Sequence, residues 1–357
     1  MVNILSIRCS LAFIPYLLES LNEFIERGEV TPALVKQAAS GLMIRADERL
    51  SLRYQNQEVG LARSDAIHFR ATLELRNNFF AITRTSNEVI LAQVDDNLLL
   101  SHPQSEIWLD SIAVHNIIAV HKNPKGLSGL PFPDWLSVSA SETTMLLSDG
   151  RNGRWVLLGD DHLLEFEKRV AVLRQAKIQY PKRIPPTIQM KGVKIYFQSL
   201  QKLILAIKQF SETGDFQPFI ESSASYSLFV QKAPEGMKIS DNSLVISITQ
   251  KEARKWIMIL EAELDKYQVE EFRRGQIHTL MMKMDDGYWL LQGGDEIFIE
   301  ATRLSDFLDS NFTQQPEHHL VFSKQAEFHL ILNKANGNCV ALKGEEINRI
   351  AEIIAKG

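Results

Sequence analysis

The sequence predicts an α+β protein in which N-terminal helices are followed by tandem antiparallel sheet-plus-helix modules. Three observations carry this. A local unit recurs along the chain: a short β-prone segment, a Gly/Asp/Asn turn, a polar helix start and an amphipathic helix. The helix starts have capping chemistry of their own, as in Thr249-Gln250-Lys251-Glu252, where a hydroxyl and a carboxylate can satisfy two orphan amide donors. Finally, 357 residues at 45% apolar and 23% charged give an ordinary globular composition, long enough for two or three domains.

Residues 1–48 read as a helical segment. Phe13, Tyr16, Leu17, Leu21, Phe24 and Ile25 recur at helical spacing, Gly28 supplies a stop, and Thr31-Pro32 suits the start of a second helix. Residues 49–122 read as β-rich, with short segments at 73–75, 79–83 and 89–94 separated by turns at 76–78 and 85–87. Within that region 107–109 lead into a helix over 110–121. After a loop at 123–133, residues 138–178 form a sheet-plus-helix module: strands 144–147 and 154–158 around Asp149-Gly150-Arg151-Asn152-Gly153, then a helix over 160–176. Residues 179–218 are a basic linker and a helix over 193–210, with Tyr196, Leu200, Leu203, Ile204 and Ile207 on one face. Residues 219–357 form a C-terminal antiparallel sheet-plus-helix domain. It contains 243–248 with a helix over 249–267, 279–299 with a helix over 302–311, and 329–342 with a helix over 345–356. Helix starts near 110, 161, 249, 301 and 345 have no fixed period, which argues against a solenoid.

Charge is the feature closest to function. Residues 1–167 hold 14 basic and 21 acidic side chains (−7), and residues 212–357 hold 15 and 23 (−8). Between them lie ten basic residues and no acid: Lys168, Arg169, Arg174, Lys177, Lys182, Arg183, Lys191, Lys194, Lys202 and Lys208. Such a segment can neutralise phosphates and release counterions, and Tyr196 and Phe197 beside Lys191 and Lys194 suit base stacking. The same residues also suit a solvated helix face, or ion pairs with the chain's own acidic flanks.

Enzymatic chemistry finds little support. Gly293-Gly294-Asp295-Glu296 resembles the hairpin of diguanylate cyclases. The metal-binding aspartate those enzymes need some forty residues earlier is missing, so the pair of glycines reads as a tight turn. His318-His319 would point to opposite faces of a strand, and His115 and His121 miss the same-face helical spacing, so no metal or other cofactor is expected. Asp160-Asp161, Asp285-Asp286 and Glu345-Glu346 sit where helix starts or turns favour carboxylates. Cys9 and Cys339, far apart, exclude a disulfide framework and fit a reducing cytoplasm. The apolar stretch 11–18 is short, contains Pro15 and is closed by Glu19. It reads neither as a signal peptide nor as a membrane span, which needs about 18 apolar residues.

The strand–cap–helix unit at Leu244–Ile248, Thr249-Gln250-Lys251-Glu252 and 256–260 resembles the module of the Whirly and transcriptional positive-coactivator families, with weaker echoes at 297–308 and 340–354. The resemblance implies a curved antiparallel sheet backed by a helix, over 219–357, that holds single-stranded DNA. The region is acidic, and its strands carry no lysine-rich motif of that kind. The sequence thus points to a non-enzymatic, cytoplasmic nucleic-acid-binding protein, preferring single strands, that uses the 168–208 segment and Tyr196. A protein–protein adaptor or assembly factor is the alternative.

Overall fold

The computed structural model describes residues 1–357 apart from 38–39, 86–87, 95–96, 124–129, 131, 142, 174–185, 223–226, 268, 309–318 and 357. Among the described residues eight antiparallel sheets alternate with eight α-helices, and every sheet is followed by a helix. Strand order within each sheet is chain order, so each is a meander closed by local turns. The α+β class read from the sequence therefore holds, with more modules than the sequence disclosed. The chain divides into two compact units, Cys9–Gln179 and Met1–Arg8 with Tyr180–Gly357.

In the first unit, helix α1 (Ile14–Arg27) ends at Gly28, whose positive φ of 77° lets its N–H reach Phe24 O. A four-stranded sheet follows (Ala33–Gln37, Ser40–Ala46, Leu50–Tyr54, Gln57–Leu61), then α2 (Arg63–Phe79). The next sheet (Thr83–Arg84, Ile90–Val94, Asn97–His102, Ser105–Asp110) leads to α3 (Ser111–Lys122), capped by the Asp110 carboxylate, which accepts from Ala113 N–H at 2.7 Å. A three-stranded sheet (Leu136–Ala140, Thr144–Asp149, Arg154–Gly159) precedes α4 (Asp160–Leu173).

Two segments of this unit differ from the sequence reading. The second helix expected after Thr31-Pro32 is instead a strand pair in which Leu42 and Ile44 alternate inward. Pro32 precedes the edge strand of that sheet, a position where a missing N–H costs nothing. Conversely, the β-prone segments at 73–75 and 79 belong to α2. Its apolar stripe Ala66, Phe69 and Leu73 runs beside a buried polar stripe of Asp65, His68, Thr72 and Arg76, and this second stripe masks the helical period.

His162, at the start of α4, is fully buried. Its Nδ1 accepts the Gly159 N–H at 2.8 Å, so the ring proton sits on Nε2 and points to Thr85 Oγ1 at 2.9 Å, while that hydroxyl donates to Val89 O. Burial lowers the His162 pKa despite the neighbouring Asp161, and His102, lowered by burial and by His162, shifts the same way.

The second unit opens with a hairpin (Thr187–Met190, Val193–Tyr196) and α5 (Phe197–Thr213), so the first four residues expected to be helical are a strand. A four-stranded sheet (Phe219–Ser222, Ser227–Ala233, Gly236–Ser240, Val245–Ile248) leads to α6 (Gln250–Asp265). Next come a second sheet (Val269–Arg274, Ile277–Met284, Gly287–Gln292, Asp295–Glu300) with α7 (Ala301–Leu308) and a third (Leu320–Gln325, Phe328–Asn333, Cys339–Lys343) with α8 (Gly344–Lys356). The Gly287–Gln292 strand is buried along its whole length. Trp289 and Leu291 join the core beneath α5 and α6, while Tyr288 and Leu290 join the core beneath α8.

Because His162 is neutral when folded and takes up a proton readily when unfolded, its contribution is present above pH ~6.5 and is lost as pH falls below that value. Chemical denaturation at pH 7.5 and 5.5 is expected to show the lower midpoint at pH 5.5. A His162→Asn variant, less stable throughout, is expected to have a shallower pH dependence.

Candidate nucleic-acid interface

The ten cations do not form one surface of described residues. Arg174, Lys177, Lys182 and Arg183 lie outside the described residues, and Arg169 is placed only as part of the α4 backbone. Lys168, exposed on α4 in the first unit, reaches Glu165 at 3.4 Å. The other four belong to the second unit. Lys191 and Gly192 turn the hairpin with positive φ at both residues (47° and 91°), as a two-residue connection between twisted strands requires. The Lys191 ammonium meets Glu252 at 2.7 Å; Lys202 meets Glu221 at 2.5 Å and lies over the Phe219 ring, and Lys208 meets Glu261 at 2.6 Å. Lys194 is exposed, and its backbone N–H is held by Asp241 at 2.9 Å. Against the opposing effect of burial, that bond and those from Ser243 and Leu244 hold the Asp241 pKa at about 2. Tyr196 is half-buried; burial, then the Glu296 and Asp241 carboxylates, push its phenol pKa up. Phe197 is inside the core, edge-on to Tyr267, and offers no free ring face for stacking.

Helices α5 and α6 run antiparallel. Phe197 at the start of α5 packs 4.7 Å from Tyr267 just beyond α6, and Gln250 at the start of α6 donates to Ser211 O near the end of α5 at 3.1 Å. Their inner faces (Leu200, Leu203, Ile207, Ala253, Leu260) enter the core. Their outer faces place Leu205 and Met258 at the same level, 63% and 74% exposed.

Beside Met258, one helical stripe carries Lys251, Arg254 and Lys255, all exposed, and among the described residues none of the three is in an ion pair. In the sequence this stripe is masked by Glu252, Glu261 and Glu263 on the same helix, which make α6 look charge-balanced. Its i, i+3, i+4 spacing after the Thr249 cap was the available signal. Its position also runs against local preference: Lys251 lies in the first turn, where the helix dipole disfavours a cation, and the other two follow in the second. The cap beneath it is fully formed. Thr249 Oγ1 accepts from Glu252 N–H at 3.3 Å, and Glu252 accepts from Thr249 N–H at 2.9 Å. The Lys191 ammonium first, then the Thr249 N–H and hydroxyl, both donating to the carboxylate, hold the Glu252 pKa at about 2.

Catalytic alternatives do not gather around any of these groups. Among the described residues no three His, Cys, Asp or Glu side chains could hold a metal ion. Gly293 and Gly294 (φ 57° and 94°) make a two-residue turn, with Gln292 paired to Asp295 across it. Asp295 is buried, accepting from Asn3 at 3.1 Å. Asp160-Asp161 and Glu345-Glu346 occupy first helical turns, and Asp285-Asp286 turns a hairpin. Burial raises the Cys9 thiol to about 12, far from a nucleophile's range. No helix among the described residues is long and apolar enough to cross a membrane.

No family model and no curated protein matches the chain. Similar solved structures include a putative DNA polymerase III β subunit from Eubacterium rectale (10% identity, 82% of this chain and 97% of that one, TM-score 0.12). Others are a DNA polymerase sliding clamp from Pseudomonas aeruginosa (11%, 78% and 93%, TM-score 0.12) and the polymerase β subunit of Streptococcus pyogenes (11%, 80% and 97%, TM-score 0.13). The Whirly and coactivator resemblance is corrected: no family model of either kind matches the chain, and the similar solved structures found are polymerase clamps and β subunits. The physical reason lies in the fold. Antiparallel strands followed by a helix recur throughout this chain, with a side-chain cap at α3 as well as at α6, so the pattern at 244–260 marks a repeated unit and not one family.

Thr249→Ala removes one partner of the capping box and is expected to lower stability by about 1 kcal/mol. Denaturant midpoints measured beside Gln250→Ala, which keeps the cap, check this.

Proposed function

We propose that this is a non-enzymatic protein that holds nucleic acid through its phosphates, on the outer surface of α5 and α6, where Lys202 and Lys208 of the basic segment lie on α5. The observation that carries the reading is the stripe Lys251, Arg254 and Lys255, three exposed cations in the first two turns of α6 that are in no ion pair among the described residues. A polyanion gives these charges the partner that no described acid supplies. Lys202 and Lys208 can join at little cost, because exposed ion pairs are worth about 0–1 kcal/mol and exchange readily for phosphate. A cytoplasmic setting agrees with two buried, free cysteines. Preference for single strands is the finer part of the reading. With Phe197 buried and Tyr196 half-buried, it would have to come from groups other than that pair of rings.

Fluorescence anisotropy with labelled single- and double-stranded oligonucleotides across a salt series tests this. Affinity is expected to fall steeply with salt, and Lys251→Gln/Arg254→Gln/Lys255→Gln to flatten log K against log salt by about 3 on duplex, at about 0.9 per phosphate contact. The triple variant should be no less stable than the parent, since it removes cations from an unfavourable helix end. Lack of binding at low salt, or an unchanged slope in the variant, would refute the reading. Apolar, salt-insensitive capture of a protein would then favour the adaptor.

A further inference from the structure

The three-stranded sheet of the first unit turns one face inward and leaves the other in solvent. Leu136, Met145, Leu147, Val156 and Leu158 enter the core, so the alternate residues point outward. The strand register arranges those outward residues in rows. Ser137, Ser148 and Trp155 form one, Ser139, Leu146 and Leu157 the next, and Thr144 with Gly159 a third. None of these eight positions carries a charge. The outer positions of the 33–61 sheet, by contrast, include Lys36, Arg45, Arg53 and Glu58. Trp155, Leu157 and Leu146 are 45%, 51% and 38% exposed, an apolar group of a kind that singly scattered surface residues do not make.

The face also has a gradient of size. One edge strand presents Trp155 and Leu157, the opposite edge presents Ser137 and Ser139, and the central strand presents Leu146. A two-fold axis parallel to the central strand maps the bulky edge of one copy onto the small edge of another. Trp155 then lies over Ser137 of the second copy, Leu157 over its Ser139, and Leu146 meets its own counterpart, an isologous sheet-on-sheet contact. The contact itself takes no charge out of water, and the general repulsion between two chains of net charge −5 acts over the rest of the surface, where salt screens it.

We propose that this sheet face is the contact through which the chain pairs reversibly with a second copy of itself. From strand rise and spacing the footprint is roughly 300 Å². That is well under the ~800 Å² per partner of a stable complex, so the dimer is weak and forms at micromolar or higher concentration. The contact is independent of the nucleic-acid reading, since it lies in the other unit.

Sedimentation velocity of the full chain from 1 µM to 1 mM, at low and high salt, is the test. The expected result is a monomer–dimer equilibrium that added salt does not weaken. Leu146→Glu should weaken it at least tenfold with an unaltered circular dichroism spectrum. Mixing Leu146→Glu with Leu146→Lys should restore association, because the two-fold axis brings position 146 against itself. A chain monomeric at every concentration overturns the proposal. So does dimerisation abolished by salt, or a mixture no better associated than either variant alone. Another protein captured through Leu157 by a chain that stays monomeric would overturn it too.

Discussion

A sheet that is apolar on both faces governs the Tyr180–Gly357 unit. Along Gly287–Gln292 and its neighbours, alternate residues feed two separate cores: Met282, Trp289, Leu291 and Phe298 on one side, Met281, Leu290, Ile297 and Ile299 on the other. Neither side can face water, so each must be covered, and a helix is the cheapest cover because its own backbone groups are already paired. Helices α5 and α6 meet the first demand and α8 serves the second. What remains for function is whatever the covering elements turn outward. The cationic stripe of α6 is thus a consequence of burying Ala253 and Leu260: the opposite side of the same helix has to be solvated, and its composition is free to vary.

That freedom sharpens the meaning of where charges sit. Of the five cations of the acid-free run whose side chains are described, four have an acid within reach once the chain is folded, and for three of those the acid is distant in sequence. Lys191 finds Glu252, Lys202 finds Glu221 and Lys208 finds Glu261. A count along the chain therefore overstates the positive potential of 168–208 and understates that of α6. In α6 the acids Glu252 and Glu261 are taken by lysines from other elements, leaving Lys251, Arg254 and Lys255 without partners among the described residues. Net local charge is a property of the folded neighbourhood, and exposed pairs contribute little that a phosphate could not replace.

Legibility from sequence followed the range of the interaction. The Thr249 capping box, the Asp285-Asp286 and Gly293-Gly294 turns, and the helices α3, α4, α6, α7 and α8 depend on residues within a few positions, and they could be read directly. Helix α2 could not, because its buried Arg76, Thr72 and His68 look like solvent-facing residues until the groups covering them are known. The strands at 33–46 were hidden by a helix-start signal at Thr31-Pro32 that an edge strand uses equally well. At the candidate interface the lysines themselves were legible and their partners were not, since each ion pair spans about twenty to sixty residues.

The sheet 136–159 carries the same reasoning to a surface with no charge at all. Alternation fixes which residues point out, yet only the register shows that Leu146 and Leu157 are neighbours and that Trp155 stands at one edge while Ser137 stands at the other. A solvated face in a chain with 23% charged residues would ordinarily include some charge over eight positions. An all-neutral composition adds nothing to the inner core and gives up solubility, and exposed sheet faces of this sort invite association. A contact with an identical face answers that liability in the simplest way: it buries the apolar centre, brings no charge out of water, and matches large side chains to small ones. The two proposed surfaces would then divide the chemistry of the chain, a cationic helical face for a polyanion on one unit and a neutral sheet face for self-recognition on the other.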